Sequence, residues 1–199
     1  MKKKALIATI LPYKENYTTS KAAAASLWVS DFYKHSRFRK TNFIFGSTDT
    51  KDFLTKNYIN IKINNIKSKF SSSTNEYCIN FIKKNKKKNF DIIEIHNRPL
   101  VFIQLKKTLL SKFILYFHND PLTMKGSKTK EERLILLNSI DKIIFVSRWV
   151  QKQFFINLDN KLIHKTEIVY PSISKAKKIP IKSKKITFVG KLNESKGYD

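Results

Sequence analysis

Short apolar runs alternate along this chain with segments of helical periodicity. Runs of strand length occupy residues 5–11, 41–45, 90–95, 113–117 and 142–146, and residues 167–170 predict one more strand. Uninterrupted apolar runs of this length are typical of strands that are buried on both faces of a sheet. Ile59, Ile61 and Ile63 alternate with polar residues instead, which predicts a half-exposed edge strand.

Helical patterns fill the intervals between these runs. The first predicted helix carries one apolar stripe that contains Ala25, Trp28, Val29, Phe32 and Tyr33, and Ser20 is a candidate cap for it. Residues 74–84 predict a second helix. Thr129 followed by Glu132 fits a capping box, and Ser147 is the predicted N-cap of a helix over residues 148–155. The alternation predicts a Rossmann-like α/β domain, a mainly parallel sheet with helices on both faces.

Two of the predicted strands end in nearly the same four residues. His96-Asn97-Arg98-Pro99 follows one strand, and His118-Asn119-Asp120-Pro121 follows the next. Ligands of open parallel sheets bind beyond the carboxyl ends of the strands, so we expect both histidines at one edge, facing a cleft. A single histidine is more often structural, but two in matching positions favour a ligand site. Asp120 is the weaker candidate, because an aspartate before proline also starts turns.

Charge and composition bound the class of protein. The 199 residues carry 40 Lys and Arg against 15 Asp and Glu, a net charge of +25. Arginine clustered with aromatic residues on one face, typical of nucleic-acid binding, is missing, so we favour attraction to an anionic membrane surface. With no long apolar run and no signal-peptide pattern, we predict a cytoplasmic protein, either soluble or peripheral at the inner face of the plasma membrane.

Cys78 is the single cysteine of the chain, which excludes an internal disulfide and a zinc site built from several cysteines. It lies on the apolar stripe of the second predicted helix beside Tyr77 and Phe81. That position predicts a buried structural side chain rather than a reactive thiol.

The chain resembles the N-terminal domain of family 4 glycosyltransferases of the GT-B fold. The resemblance rests on a strand closed by His118, a helix, and then D-x-I-I-x-V-S from Asp141 to Ser147. The last residues, FVGKLNESKGYD, are similar to the V-G-R-L-x3-K-G stretch that opens the donor-binding domain of that family. The loop at residues 12–20 lacks the glycine pair of many members, and Lys191 stands where they usually carry arginine.

The resemblance implies a retaining, metal-independent transfer of a sugar from a nucleotide-sugar to a hydroxyl of a glycan or lipid-linked acceptor, in cell-surface polysaccharide synthesis. It implies no cofactor, since the nucleotide-sugar is a substrate. His118 matches the family histidine that contacts the donor sugar and is the catalytic candidate. The other candidate substrate contacts are His96, Asn97, Arg98, Asn119, Asp120 and Ser147 at the sheet edge, with Gly190, Lys191 and Lys196 matching the diphosphate-binding stretch.

The same resemblance divides the chain. Residues 1–173 are expected to form the acceptor-side domain, residues 174–184, rich in Lys and Pro, a linker, and residues 185–199 the start of the donor-binding domain. We therefore expect a fragment of a longer protein, whose Glu-x7-Glu donor-binding motif lies beyond residue 199. Such a fragment is expected to be inactive alone.

Two other classes of function are compatible with parts of the sequence. A noncatalytic, basic Rossmann-like module that docks on an anionic membrane or on nucleic acid would explain the charge. It would not explain the two His-Asn-x-Pro turns or the terminal VGKL…KG stretch. A nucleotide-dependent dehydrogenase is disfavoured, because no G-x-G-x-x-G pattern follows the first strand.

Overall fold

The computed structural model describes residues 4–13, 15–63, 72–86 and 88–172, and these contain one seven-stranded sheet. Its strands follow one another in space in the order β3-β2-β1-β4-β5-β6-β7, and every neighbouring pair is parallel. The strands are β1 (Ile7–Ile10), β2 (Asn42–Gly46), β3 (Tyr58–Asn60), β4 (Ile92–His96), β5 (Lys112–Phe117), β6 (Lys142–Phe145) and β7 (Thr166–Ile168). The predicted Rossmann-like sheet is confirmed, and β3 forms one of its edges as predicted.

Helices cover both faces of the sheet. They are α1 (Ala24–His35), α2 (Ser73–Asn85), α3 (Pro99–Lys106), α4 (Lys130–Ser139) and α5 (Arg148–Phe155), with 3-10 turns at Pro121–Thr123 and Asn160–Lys165. Trp28 and Val29 pack α1 against one face, in a cluster that includes Tyr116 and Ile144. Most of the buried apolar residues of α2, α3, α4 and α5 belong to a larger cluster on the other face.

The larger cluster is the main core, and it is rich in phenylalanine. Alternate residues of a strand point to opposite faces, so Phe113, Leu115 and Phe117 of β5 lie on this side. Phe117 is fully buried, with its ring centroid 5.5 Å from that of Phe154 on α5. Burying such rings supplies much of the stability, since removing one from a core typically costs about 3–5 kcal/mol.

Hydrogen bonds at the helix starts confirm two predicted caps and correct a third. Thr129 and Glu132 form the predicted capping box of α4, and the Ser147 hydroxyl accepts from the Val150 N–H at 3.2 Å. The prediction that Ser20 caps α1 is wrong, because α1 begins after Ala23, which makes no side-chain cap. Ser20 instead donates its hydroxyl to the Asp52 carboxylate at 2.8 Å, beside other donors whose hydrogen bonds hold the pKa of Asp52 below its usual range.

The structure bears on three further expectations from the sequence. Cys78 is buried on α2, 2% exposed, as predicted. No helix among the described residues is long and apolar enough to cross a membrane. The predicted linker at residues 174–184 and the predicted second-domain start at residues 185–199 lie outside the described residues, so this division of the chain stays a prediction.

Gly126 allows the loop between β5 and α4 to lie directly against the start of α3. Its φ of +89° is in the left-handed region, which side chains other than glycine rarely adopt. A Cβ at this position would stand 3.2 Å from the Leu100 backbone nitrogen and 3.2 Å from the Pro99 Cβ. Glycine is therefore required both for the backbone angle and for the close approach.

We expect Gly126→Ala to lower the free energy of unfolding by about 1–3 kcal/mol, because it combines backbone strain with crowding of backbone atoms. Urea unfolding followed by circular dichroism measures the change. Lys128→Ala, on an exposed side chain in the same loop, is the control and should stay within about 0.5 kcal/mol. Equal stability of the two variants would contradict this role for Gly126.

Candidate active site

The two predicted histidines meet at the carboxyl edge of the sheet. His96 is the last residue of β4, and His118 follows the last residue of β5. Because the two strands pair in parallel with His96 opposite Tyr116, the side chains come together. Nδ1 of His96 lies 2.8 Å from Nε2 of His118, within hydrogen-bond distance. The structure thus brings the two rings into contact, while their roles with a ligand stay predictions.

Asn97 holds the two strand ends in this arrangement. Its φ of +52° turns the chain sharply after β4, in a conformation that asparagine tolerates better than most residues. Its N–H donates to the Tyr116 carbonyl at 2.8 Å, and its Oδ1 accepts from the His118 N–H at 2.7 Å. The side chain that was predicted to contact substrate therefore uses its oxygen to fix the backbone of His118.

Aromatic rings surround the histidine pair. The His96 ring stacks on Tyr116, with centroids 4.4 Å apart and planes 10° from parallel. Trp28 of α1 presents its ring edge-on to His118, with centroids 5.1 Å apart. His96 is 1% exposed, whereas His118 keeps part of its surface accessible. Of the two rings, His118 is therefore the one that a ligand can reach.

Removal from water keeps both imidazoles neutral. Burial lowers the pKa of His118 to about 4, and burial together with the neighbouring His118 holds the pKa of His96 well below 6.5. Two neutral imidazoles share a single N–H in their contact, so the tautomer of one fixes that of the other. Nδ1 of His118 has no hydrogen-bond partner in the described part of the chain, and it remains available to a ligand.

A polar network lies on the same face of the sheet, beneath α1. The Thr9 hydroxyl is 2.7 Å from the Glu94 carboxyl and 3.0 Å from Oδ1 of Asn42, and the Tyr116 hydroxyl is 3.5 Å from Glu94. Burial raises the pKa of Glu94. A protonated Glu94 can donate to Thr9, which then donates to Asn42, so the chain of hydrogen bonds is complete without a charge.

A cavity of about 100 Å³ between α1 and the sheet joins this network to the histidines. Glu94, His96, Tyr116 and Trp28 are among its lining residues. Nε2 of His96 is buried and has no hydrogen-bond partner among the residues that the structure describes. A cavity of this size with several polar walls can hold water, which would supply that partner.

The remaining predicted site residues take different positions. Oδ1 of Asp120 accepts from the Leu122 N–H at 2.9 Å, which starts the 3-10 turn at Pro121, while Asn119 is exposed. Ser147 lies at the carboxyl end of β6, where its hydroxyl caps α5. Arg98 turns away from the histidines and lines a second cavity. Gly190, Lys191 and Lys196 lie outside the described residues, and their predicted diphosphate contact stays a prediction.

Three residues of the site were missing from the candidates drawn from the sequence. Trp28 was assigned only to the apolar stripe of α1, and Tyr116 only to a buried strand. Nothing in the local pattern distinguishes them, because their role depends on which helix crosses which strand. Glu94 could have been identified from the sequence. The apolar run at residues 90–95 contains two carboxylates, Asp91 near its start and Glu94 within it. A charged residue in a buried strand is rare unless it is paired or neutral.

No group of three or more His, Cys, Asp or Glu side chains that could hold a metal ion occurs in the described ranges. The chemistry that these residues offer is hydrogen bonding by neutral imidazoles, set in an aromatic enclosure.

Comparisons with known proteins identify the fold. No protein-family model and no curated protein matches the sequence. Among solved structures, HepE from Anabaena in complex with UDP-glucose is similar with a TM-score of 0.58 and 12% identity, over 84% of this chain and 44% of that one. The apo form of the lipopolysaccharide outer core galactosyltransferase WaaB gives a TM-score of 0.58 and 16% identity, over 90% and 50%.

Sucrose-phosphate synthase from Thermosynechococcus elongatus is also similar, with a TM-score of 0.54 and 10% identity over 83% of this chain and 48% of that one. The chain spans about half the length of these solved chains. At such low identities the likeness establishes the fold. The described residues have the Rossmann-like α/β fold of one half of a GT-B protein.

We expect the histidine pair to make stability depend on pH. The pKa of His118 is about 4 in the folded protein and about 6.5 when unfolded, so the unfolded chain takes up a proton first as the pH falls. The stability that depends on His118 is fully present above pH 6.5, the pKa of His118 in the unfolded chain. It is lost as the pH falls from there toward about 4, the pKa of His118 in the folded protein. When the pH is lowered from about 7.5 to about 5, the protonation of His118 in the unfolded chain should reduce the free energy of unfolding by about 1–2 kcal/mol.

Urea unfolding across this range measures the slope for the wild-type protein and for His118→Gln, which cannot take up the proton. The variant should show a shallower loss of stability toward acid pH. His164→Gln, on an exposed side chain, is the matched control. Glu94, whose raised pKa acts in the opposite direction, is present in all three proteins and cancels in the comparison. Parallel slopes for wild type and His118→Gln would refute the buried, neutral state of His118.

Proposed function

We propose that this chain is the acceptor-side half of a retaining, metal-independent glycosyltransferase of family 4. The enzyme would transfer a hexose from a nucleotide-sugar to a hydroxyl of a glycan or lipid-linked acceptor, in cell-surface polysaccharide synthesis. The observation that carries the proposal is the contact of His96 with His118 at the carboxyl edge of a GT-B half-domain. That edge is where open parallel sheets bind ligands.

The comparisons support the coarser part of this proposal. HepE was solved with UDP-glucose, and WaaB is a galactosyltransferase. A nucleotide-sugar is therefore the substrate class that we assign to the full protein. Family 4, the retaining outcome and the pathway rest on the sequence resemblance, in particular on His118 and on the D-x-I-I-x-V-S stretch.

The state of His118 limits what it can do in such a reaction. With a pKa of about 4, it is a weak base at neutral pH and carries no charge to counter a leaving diphosphate. A neutral imidazole with Nδ1 available can hydrogen-bond a sugar hydroxyl and so orient the sugar for transfer. We therefore assign His118 to contact with the donor sugar. Charge stabilisation of the diphosphate falls to Lys191 and Lys196 in this proposal.

His118 should respond to the sugar rather than to the nucleotide. Nuclear magnetic resonance of the imidazole nitrogens, with UDP-glucose, UDP-galactose and GDP-mannose added in turn, measures that response. We expect one nucleotide-sugar to shift the His118 Nδ1 signal, while UDP and GDP alone leave it unchanged. Binding should be weak and turnover absent, because residues 185–199 are predicted to supply only the start of the donor-binding domain.

The control is His164, whose exposed ring should give no response to any nucleotide-sugar. Absence of a sugar-dependent shift at His118 with every donor would remove it from the proposed site. Sugar transfer by the 199-residue chain to any acceptor would contradict the predicted inactivity.

A cluster of cations favours docking on an anionic membrane as a second candidate function. Lys34, Arg37, Arg39 and Lys40 line a shallow cavity of about 420 Å³ at the amino edge of the sheet. This edge is opposite the histidines, so membrane attachment there would leave the proposed active site open. Attraction of this kind falls steeply as salt screens the charges.

Sedimentation with phosphatidylserine-containing vesicles, and with phosphatidylcholine vesicles for comparison, tests this docking. Replacing Arg37, Arg39 and Lys40 together by Gln should reduce the bound fraction several-fold, since each basic residue contributes about 1 kcal/mol near an anionic surface. The matched control replaces Lys83, Lys84 and Lys152, three exposed lysines elsewhere, and should bind nearly as well as wild type. Equal losses of vesicle binding in the two triple variants would indicate attraction by net charge alone. The same conclusion would follow if added nucleic acid displaced the protein from the vesicles as effectively as additional vesicles do.

A further inference from the structure

A second cavity, of about 260 Å³, lies at the carboxyl edge of the sheet on the far side of the β4–α3 turn from the histidine rings. Tyr13, Asn97, Arg98, Leu100, Met124 and Lys125 are among its lining residues. They come from the loop after β1, the β4–α3 turn and the loop after β5. The floor and sides include the apolar groups of Pro99, Leu100 and Met124, and Gly126 lets the last of these loops close against α3.

The charged side chains that line this cavity are all cations. Arg98 and Lys125 are both lining residues, whereas no Asp or Glu is. Neither cation takes part in the ion pairs that the structure shows among its described residues. Glu15 interacts electrostatically with Arg98, but its carboxylate accepts from the Ser26 N–H and does not line the cavity. The positive charge of the cavity is therefore left uncompensated within ion-pair distance.

Asn97 adds a side-chain amide donor to the cavity. The residue is 6% exposed and lines the cavity, and its Oδ1 is already committed to the His118 N–H. Its amide nitrogen therefore carries the two remaining donors, and in the described part of the chain neither has an acceptor. An amide held in this position by its own oxygen, with both N–H groups uncommitted, can donate to the oxygen atoms of a ligand in the cavity.

Two further features hold the donors in place. The Arg98 guanidinium donates to the Asn97 carbonyl at 2.8 Å and lies over the Tyr13 ring, 5.9 Å from its centroid, which restricts its movement. Arg98 is also the residue before the first turn of α3, so the positive end of that helix faces the same region. A guanidinium restrained in this way presents parallel N–H groups that match the oxygens of phosphate or carboxylate.

We propose that this cavity binds an oxyanion, a phosphate or a carboxylate, that is carried by the acceptor substrate. Arg98 and the Asn97 amide hold the anion, Lys125 adds charge at its mouth, and the apolar wall contacts the uncharged part of the acceptor. The inference rests on the proposed transferase function, which it deepens by naming the acceptor class. Asn97 joins the two regions, because its oxygen fixes His118 while its nitrogen faces the anion.

Binding is tested on the whole 199-residue chain at physiological ionic strength by 15N nuclear magnetic resonance. The probes are inorganic phosphate, glycerol 1-phosphate, glucuronate and, as the uncharged comparison, glucose. We expect the anionic probes to shift the Asn97 side-chain amide and the backbone amides of Leu100 and Lys125. Arg98→Gln should weaken binding about tenfold, the loss of a bidentate charged contact. Lys125→Gln should weaken it about threefold, as expected for a more exposed charge.

Arg148→Gln, the same change on an exposed arginine outside the cavity, is the matched control and should bind as wild type. Tighter binding of glycerol 1-phosphate than of inorganic phosphate would support a lipid headgroup as the source. Equal binding of the two would support a free phosphate group, and preference for glucuronate a sugar acid. Shifts as large at Arg39 and Lys40, in the more cationic amino-edge cluster, would overturn the inference. So would affinity unchanged in both Arg98→Gln and Lys125→Gln, or glucose binding as tightly as the anions.

The same spectra separate this inference from the function on which it rests. A sugar-dependent response of His118 to a nucleotide-sugar, without an anion response at Asn97 and Leu100, would reject the anion site and keep the transferase. An anion response in the cavity, without any response of His118 to nucleotide-sugars, would reject the transferase assignment and keep the site.

Discussion

One hydrogen bond, from the His118 amide to the Asn97 side chain, organises the carboxyl edge of this sheet. It is possible only because Asn97 adopts a left-handed backbone conformation, which turns the chain immediately after β4. That turn leaves His96 on the α1 side of the sheet, against His118, and sends Arg98 to the other side. The geometry of both proposed binding regions therefore depends on a single asparagine.

The two regions that Asn97 separates differ in electrostatic character. On the α1 side, burial keeps His96 and His118 neutral and raises the pKa of Glu94, so burial disfavours the charged form of every titratable group there. On the other side, Arg98 and Lys125 line the cavity, and no carboxylate does. A substrate with a neutral polar part and an anionic part, separated by the width of one turn, would satisfy both.

Local patterns in the sequence predicted much of the fold. The apolar runs predicted the central strands, because central strands of a parallel sheet are buried on both faces and tolerate few polar residues, while alternation at Ile59 and Ile61 predicted the edge strand β3. The capping box at Thr129 and the cap at Ser147 could also be predicted from the sequence, since a helix cap is a contact between residues only a few positions apart. The cap at Ser20 was not, because Asp52, distant in the sequence, competes for that hydroxyl and lies in a loop whose path the local pattern does not determine.

The site was predicted less completely, for a related reason. Parallel pairing brings matching strand ends together, so the meeting of His96 and His118 followed from the repeated turn and the sheet type. The enclosure by Trp28 and Tyr116 depends on how α1 crosses the sheet, and a single apolar stripe does not specify that crossing. The dual use of Asn97 depends on a backbone angle, which the residue type permits but does not require.

The position of Cys78 gives the protein a built-in reporter of local opening. Its sulfur lies 4.0 Å from the Val101 carbonyl, between α2 and α3, and burial raises the pKa of the thiol to about 12. The thiolate is the nucleophile that attacks alkylating reagents, so in the closed state the single cysteine is protected both by packing and by protonation. Its rate of alkylation therefore measures how often α2 separates from α3, in the native protein and without any substitution. Because Arg98 is the N-cap of α3, that rate would also report whether a bound anion slows the separation of α2 from α3.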